Sequence, residues 1–207
     1  MKRLILSVSL LLFTLTISAK SMVEVWETIP DAMLPYIDRN HRLEMTEFLS
    51  MGLKGEVNHS LQGQSEMDTI TSNYIHLTLN ESVEMHIKRL AYNNGDSILC
   101  VVKTWSAPDK ESEVHFYTQD WQKLDIPNPL EAYKTEFKLI RPDSMSVEKF
   151  EALSSKVNFI LTGAALSASN DNLQVFQSVP LLSTEDRDKI QPLLMSISLK
   201  WDGRTFK

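Results

Sequence analysis

Apolar and polar residues alternate along two adjacent stretches of this chain. Residues 74–79 read YIHLTL and residues 83–88 read VEMHIK. A period of two is typical of β-strands that bury one face, because successive side chains point to opposite sides. Asn-Gly at 94–95 then favours a tight hairpin, since both residues tolerate positive φ. Two further stretches, 98–105 and 113–117, complete four predicted strands of an antiparallel β-meander.

Short N-terminal helices are predicted ahead of this meander. Apolar residues recur at helical spacing over 26–37, but two prolines limit that stretch to one or two short turns. Asn40 is the expected N-cap of an amphipathic helix over 41–53. Residues 22–126 are therefore expected to combine these helices with the four-stranded antiparallel meander.

A second half with the same order of elements follows Pro127-Asn128-Pro129, the predicted boundary. The expected elements are a helix over 147–153, strands over 157–166 and 173–179, a helix capped by Ser183, and a strand over 197–201. The sequence thus predicts an α+β fold and leaves a duplication open. Residues 127–207 are expected to pack with residues 22–126 as one unit.

Residues 1–21 have the composition of an export signal. Lys2 and Arg3 precede an apolar stretch, 4–17, and Ala19-Lys20-Ser21 approximates the small-x-small pattern of a signal peptidase site. A spanning helix needs about 20 apolar residues, so no stable membrane insertion is expected after cleavage. No cysteine lies near the predicted cut. The sequence therefore predicts a protein that is periplasmic or otherwise exported and is not a lipoprotein.

Net charge and cysteine content indicate which classes of partner and which disulfides to expect. The chain has 21 Lys+Arg against 27 Asp+Glu, a formal charge of −6, and the predicted signal holds three of the basic residues. Without a basic run, nucleic acid is not an expected partner. Cys100 is the only cysteine. Because it lies in the apolar run 98–102, we expect a buried thiol and no internal disulfide.

Four segments carry a resemblance to a known family. They read LPYIDRNHRLEMTEFL, LQGQSEMDTITSNYIHLTL, HFYTQDWQKL and LKWDGRTF. Together they resemble signal-bearing proteins from Bacteroides and relatives that are grouped as a domain of unknown function, over nearly the whole mature chain. The resemblance implies an envelope protein of a Gram-negative anaerobe, and brings no activity, ligand or catalytic residue. It also implies candidate O-glycan acceptors at Asp68-Thr69-Ile70, Asp96-Ser97-Ile98 and Asp143-Ser144-Met145.

Familiar catalytic signatures are missing from the sequence. It contains no Gly-x-Ser-x-Gly, His-Glu-x-x-His or Cys-x-x-Cys, and its six glycines are few for a phosphate-binding loop. No cofactor is expected and no catalytic residue is assigned. The leading hypothesis is a non-enzymatic module that binds an envelope protein or a small ligand. A periplasmic hydrolase acting on glycan or peptide is the alternative, and a structural envelope component stays open as a third class.

One candidate binding face is predicted on the meander. A loop at 80–82 sets His76 opposite His86, and a two-residue turn at 94–95 sets Lys103 opposite His86. The predicted face consists of Tyr74, His76, His86, Lys103, His115 and Tyr117. Such a face would bind an anionic or aromatic ligand, or a partner, with pH sensitivity from histidine. No metal is expected, because Lys103 within the row would repel a cation. Two simpler interpretations of this face stay open: it is a solvated outer surface, or later elements of the chain cover it.

Overall fold

Seven antiparallel strands, adjacent in chain order, form the central sheet. The computed structural model describes residues 20–59, 63–106, 109–135 and 139–207. The strands are β1 (Gly55–His59), β2 (Gly63–Ile70), β3 (Tyr74–Asn80), β4 (Val83–Ala91), β5 (Ser97–Ser106), β6 (Lys110–Tyr117) and β7 (Lys123–Leu124). The predicted α+β class with an antiparallel sheet is confirmed. The meander is longer than the four strands expected, which correspond to β3 to β6.

Strand β2 was not predicted from the sequence, because one of its two buried side chains is polar. Ser65 and Met67 point inward and are almost fully buried. The Ser65 hydroxyl donates a hydrogen bond of 2.7 Å to the carbonyl oxygen of Leu79 in β3. A serine satisfied in this way lies at a core position without giving an apolar signal.

The pairing of β3 with β4 agrees with the sequence prediction. Ile75 lies opposite Ile87 and His76 lies opposite His86. These pairs place apolar residues on one face of the hairpin and the two histidines on the other. The expected register is therefore confirmed from Ile75 to Thr78, but it shifts between Thr78 and Asn80, so that Val83 pairs with Asn80, which was expected in the loop.

The pairing of β4 with β5 differs from the prediction by one residue. His86 lies opposite Val102, not Lys103. The two strands are joined by five residues, 92–96, in which the Tyr92 N–H donates to the Asp96 carbonyl oxygen at 2.8 Å. Gly95 has φ 87°, so the expected positive φ occurs, but in a 3₁₀ turn over Asn93–Gly95. A shift of one residue turns every later side chain to the opposite face.

Two helices cover one face of the central sheet. They are α1 (Met22–Glu27) and α2 (Arg39–Ser50), linked by a 3₁₀ turn. Trp26 is fully buried beneath them, and its indole Nε1 donates to the Arg42 carbonyl oxygen at 2.9 Å. The N-cap of α2 is Asp38 instead of the predicted Asn40, because the Asp38 carboxylate accepts the His41 N–H at 2.9 Å.

A three-stranded antiparallel sheet covers the other face. It contains β8 (Leu161–Leu166), β9 (Asn172–Ser178) and β10 (Ser196–Lys200), in the order β10-β9-β8. Buried hydrogen bonds join the sheets: the Ala164 N–H donates to the Ser112 hydroxyl at 2.8 Å, and the Thr104 hydroxyl donates to the Ala164 carbonyl oxygen at 3.2 Å. One apolar cluster includes Val114 and Phe116 together with Val175 and Leu199. The residues before and after Pro127 thus share a core.

The helices of the second half are short. They are α3 (Glu131–Thr135), α4 (Val147–Ser154) and α5 (Thr184–Ile190), and Ser183 caps α5 as the sequence predicts. Cys100 is fully buried in β5, also as predicted, and burial raises the pKa of its thiol. Within the described ranges, no helix has both the length and the apolar character required to cross a membrane.

Candidate functional site

The six residues predicted to form one binding face are divided between the two sides of the central sheet. Because of the β4–β5 register, Lys103 lies opposite Met85, and His115 lies opposite Val101. Three of the six, Tyr74, His76 and His86, are on the side of the three-stranded sheet. The other three, Lys103, His115 and Tyr117, are on the side of the N-terminal helices. The predicted single row is therefore wrong.

The three residues on the helical side have contacts of their own. The Lys103 ammonium lies 5.4 Å from the ring centre of Trp105, and His115 Nε2 lies 3.4 Å from a carboxylate oxygen of Glu113. The ring of Tyr117 packs 5.7 Å from that of Trp121, and burial raises the pKa of Tyr117. These contacts do not converge on one point.

On the opposite side, His76 and His86 form a compact cluster with Glu84. The two imidazole ring centres are 4.6 Å apart. Glu84 lies on β4 two residues before His86 and therefore shares its face, opposite Thr78. One ligand atom from each of the three residues lies within 4.8 Å of the others. The strand pairing predicted from the sequence makes the two histidines neighbours. The same pairing places Glu84 on their face of the hairpin.

Each histidine of this cluster has an oxygen partner on Nδ1. His76 Nδ1 lies 2.7 Å from the carboxylate of Asp68. His86 Nδ1 lies 2.7 Å from the Tyr74 hydroxyl, which is also 3.5 Å from the Leu166 carbonyl oxygen. Both Nε2 atoms are thus left on the side of the ring away from these partners.

Asp68 reaches His76 because β2 is irregular at this point. The β2–β3 register shifts between Met67 and Thr69, so Asp68 is the additional residue of a β-bulge. A bulge re-aims a side chain that the regular alternation of a strand would place elsewhere. The sequence carries no signal for this feature, and Asp68 was not predicted as a site residue.

Burial and neighbouring charges shift three pKa values in and beside this cluster. Burial, followed by the charge of His76, lowers the pKa of His86 to about 4. Burial raises the pKa of Tyr74 to about 12, with further contributions from Asp68 and Glu84. Burial is the largest single influence on Glu84 and opposes its ionisation, but the 2.8 Å hydrogen bond and the charge of Lys110, together with the two histidines, lower the Glu84 pKa.

A separate polar groove of about 740 Å³ lies at one end of β1, β2 and β3. Its lining is Tyr36, Asn58, His59, Gly63, Gln64, Glu66, Thr78, Asn80, Glu81 and Ser82. Tyr36 stacks on His59, with ring centres 5.5 Å apart. Gly63 permits this arrangement, because a Cβ atom there would lie 2.6 Å from His59 Cε1. None of these residues was predicted as a site residue from the sequence, since the groove depends on how β1 and the 34–38 segment meet.

Two comparisons place the chain among known proteins. Over 90% of its length, and 98% of the other chain, it is similar to the solved structure of a domain of an uncharacterized protein from Porphyromonas gingivalis W83. The TM-score is 0.68 and the sequence identity is 19%, a likeness that establishes the fold alone. No curated protein matches the sequence.

A family model matches almost the whole chain, from residue 14 to residue 206. The expectation of a family without an assigned activity, drawn from four sequence segments, is confirmed by this match. The chain belongs to the DUF3256 family of proteins of unknown function.

Proposed function

We propose that this chain is an exported envelope protein that binds a polar ligand, a short glycan, in the groove beside Tyr36. The observation that carries the proposal is the composition of the groove wall. An aromatic ring with 39% of its surface exposed stands beside amide, hydroxyl and carboxylate side chains. A volume of about 740 Å³ fits a ligand of two or three sugar rings.

The chemistry of a sugar matches this wall. The C–H face of a pyranose packs on an aromatic ring, and Tyr36 is held for that contact by its stacking on His59. Planar amides both donate and accept hydrogen bonds, as sugar hydroxyls require, and Asn58 and Gln64 face each other across the β1–β2 pair. A groove built from such groups orients a polar ligand without a reactive centre.

The export half of the proposal depends on residues 1–21. Their basic start and apolar centre support a cleaved signal. The only cysteine is buried in β5, which supports release without a lipid anchor. Fractionation of the native cells, with the intact mass of the protein in each fraction, tests this half. Recovery from the cytosol with Met1 retained would overturn it.

Glycan binding is tested on an array of defined oligosaccharides, followed by calorimetry with each hit. Tyr36→Ala is expected to weaken binding by about tenfold or more, because it removes the stacking surface. Phe159→Ala is the matched control, since Phe159 is also an exposed aromatic residue, with 45% of its surface accessible, but does not line the groove. Equal loss in both variants, or no hit on the array, contradicts the proposal.

The hydrolase alternative is kept because two carboxylates, Glu66 and Glu81, line the same groove. Paired carboxylates are the machinery of glycoside hydrolysis. Glu66 is held by Lys54, whose ammonium lies 3.1 Å from its carboxylate. Mass spectrometry of an incubated hit distinguishes the two functions. Cleavage that is lost in Glu66→Gln or Glu81→Gln, with binding kept, identifies an enzyme, whereas an unchanged oligosaccharide identifies a binding protein.

A further inference from the structure

We propose that His76, Glu84 and His86 together bind one zinc ion. The ligand atoms would be Nε2 of each histidine and one carboxylate oxygen of Glu84. This inference is independent of the glycan groove, because none of the three side chains lines it.

The geometry requires only a small contraction. Zinc bonds of about 2.0–2.2 Å at tetrahedral angles hold ligand atoms roughly 3.4 Å apart. His76 Nε2 lies 3.9 Å from Oε2 of Glu84, and one ligand atom from each of the three residues lies within 4.8 Å of the others. Glu84 and His86 share β4, and His76 is paired directly opposite His86. Rotations of side chains on this fixed hairpin are enough to close the remaining distance.

The hydrogen bonds favour the tautomer that a metal needs at His76 and are compatible with that tautomer at His86. Asp68 accepts at His76 Nδ1, so that nitrogen carries the hydrogen and Nε2 keeps its lone pair. At His86, Nδ1 lies 2.7 Å from the Tyr74 hydroxyl, whose oxygen accepts from this nitrogen in the tautomer that leaves Nε2 free for a metal. A carboxylate or hydroxyl behind each ligating histidine is the usual support of a zinc site.

An unpartnered atom marks the centre of the cluster. His86 is 92% buried, with 8% of its surface exposed, and its Nε2 has no hydrogen-bond partner among the residues that the structure describes. Nitrogen atoms of two imidazoles and a carboxylate oxygen thus converge on one small volume. In the tautomer with both Nε2 lone pairs free, these acceptors repel one another, and a bound cation satisfies all three.

The neighbouring charges do not prevent a cation from binding to this cluster. The Lys110 ammonium is bound to Oε1 of Glu84, whereas His76 faces Oε2, so the oxygen needed for zinc is not the one that the lysine holds. Lys110 is on the surface, and its side chain is 46% exposed. Asp68 adds a negative charge behind His76. The sequence predicted no metal because Lys103 was expected in the same row as the histidines. In the structure Lys103 lies on the other side of the central sheet.

Three protein ligands fit zinc with one coordination position to spare. Two histidines and one glutamate form a borderline nitrogen and oxygen set that zinc accepts. The partial exposure of His76 and Glu84, at 20% and 26%, gives the ion a route from solvent. The fourth position is then open to water or to a group brought by a partner.

The experiment uses the purified exported protein, stripped with a chelator and titrated with Zn²⁺ against a chromophoric competitor. Binding at one ion per chain is expected, with a loss of affinity of at least about tenfold in His76→Gln and in Glu84→Gln. His115→Gln is the matched control, because it removes a partly exposed histidine on the opposite face. Substitution with Co²⁺ gives a second readout, the visible absorption typical of tetrahedral nitrogen and oxygen ligation.

Tyr74→Phe tests the positioning of His86 without removing a ligand. It deletes the acceptor for Nδ1–H and keeps the ring, so the affinity for zinc is expected to fall about 10- to 100-fold. If His86→Gln does not fold, the His76→Gln and Glu84→Gln variants still test the proposal, because both of these residues are partly exposed. Zinc affinity that is the same in His76→Gln, Glu84→Gln and His115→Gln shows adventitious binding only and overturns the proposal. No binding by a folded wild-type chain also overturns it.

Discussion

At the scale of single residues, His86 has a protonation equilibrium that is coupled to folding. Burial and the nearby His76 lower its folded pKa from 6.5 to about 4. Between these two values the unfolded chain binds the proton more tightly than the folded chain. The stability contributed by neutral His86 is therefore complete above pH 6.5 and is lost as the pH falls towards 4. At about 1.36 kcal/mol per pKa unit, the loss is about 3 kcal/mol.

Urea unfolding of the metal-free protein, in the presence of a chelator, measures this effect. The free energy of unfolding of the wild type is expected to fall more steeply between pH 6.5 and pH 4 than that of His86→Gln. Glutamine does not titrate, so the difference between the two slopes isolates the histidine. Parallel pH profiles for the two proteins would show that His86 takes up its proton as readily in the folded chain as in the unfolded one.

At the scale of elements, the start of α1 depends on a capping box. The Ser21 hydroxyl accepts the Glu24 N–H at 3.1 Å, and the Ser21 N–H donates to the Glu24 carboxylate at 2.7 Å. Lys20 also contacts the sheet, since its carbonyl oxygen accepts from Arg89 and its ammonium lies 2.6 Å from Asp120. For the export signal proposed above, these contacts favour a cut after the small residue Ala19, which keeps Lys20 and Ser21, over a cut after Ser21.

Ser21→Ala is expected to lower the free energy of unfolding by about 1 kcal/mol, because it removes the acceptor for an otherwise unpaired helix N–H. Urea denaturation measures this, and Ser50→Ala, at the last residue of α2, is the control with the smaller expected change. The mass of the exported protein reports the cut itself. A mass that corresponds to Met22 as the first residue, together with an unchanged stability of Ser21→Ala, contradicts the prediction.

The elements differ in how far the sequence could predict them. β3 and β4 were predictable in register because their apolar residues agree only when Ile75 meets Ile87. The β4–β5 register was not, because Asn-Gly is compatible with more than one loop length and the apolar run of β5 carries no alternation. β5 is buried on both faces over most of its length, so its sequence does not indicate which residues face which layer.

The same limits on predicting strand register decide which site residues could be predicted from the sequence. His76 and His86 were found because they lie on the predictable hairpin, and Glu84 lies beside them for the same reason. Asp68 was missed because a bulge cannot be inferred from the letters of β2. Lys103, His115 and Tyr117 were misplaced together, since one wrong loop length moves every residue that follows it.

At the scale of the whole molecule, a buried lysine joins the two sheets. Lys88 in β4 is 1% exposed, and its ammonium donates to the carbonyl oxygens of Ser167 and Ala168 at 3.1 and 3.2 Å. Asp171 lies 3.5 Å from the same ammonium, and the Tyr74 ring packs beside it. The loop between β8 and β9 is thus held to the central sheet by one cation.

Lys88→Met keeps the apolar stem and removes the charge, so it leaves two carbonyl oxygens unpaired beneath the loop. We expect the free energy of unfolding to fall by about 3 kcal/mol in urea titrations. Lys156→Met is the matched control, because the salt bridge of Lys156 with Asp186 lies on the surface and is expected to contribute little to stability. Similar small losses in both variants would mean that the buried ammonium does not hold the sheets together.

The five-residue connection between β4 and β5 has a consequence for how the length of this chain can change. A slip of one residue in the β4–β5 pairing would drive His115 towards the three-stranded sheet and Val114 towards the helices, so the buried side chains of β5 and β6 hold the register. Added residues in the connection are therefore expected to lengthen the loop and to leave this pairing unchanged.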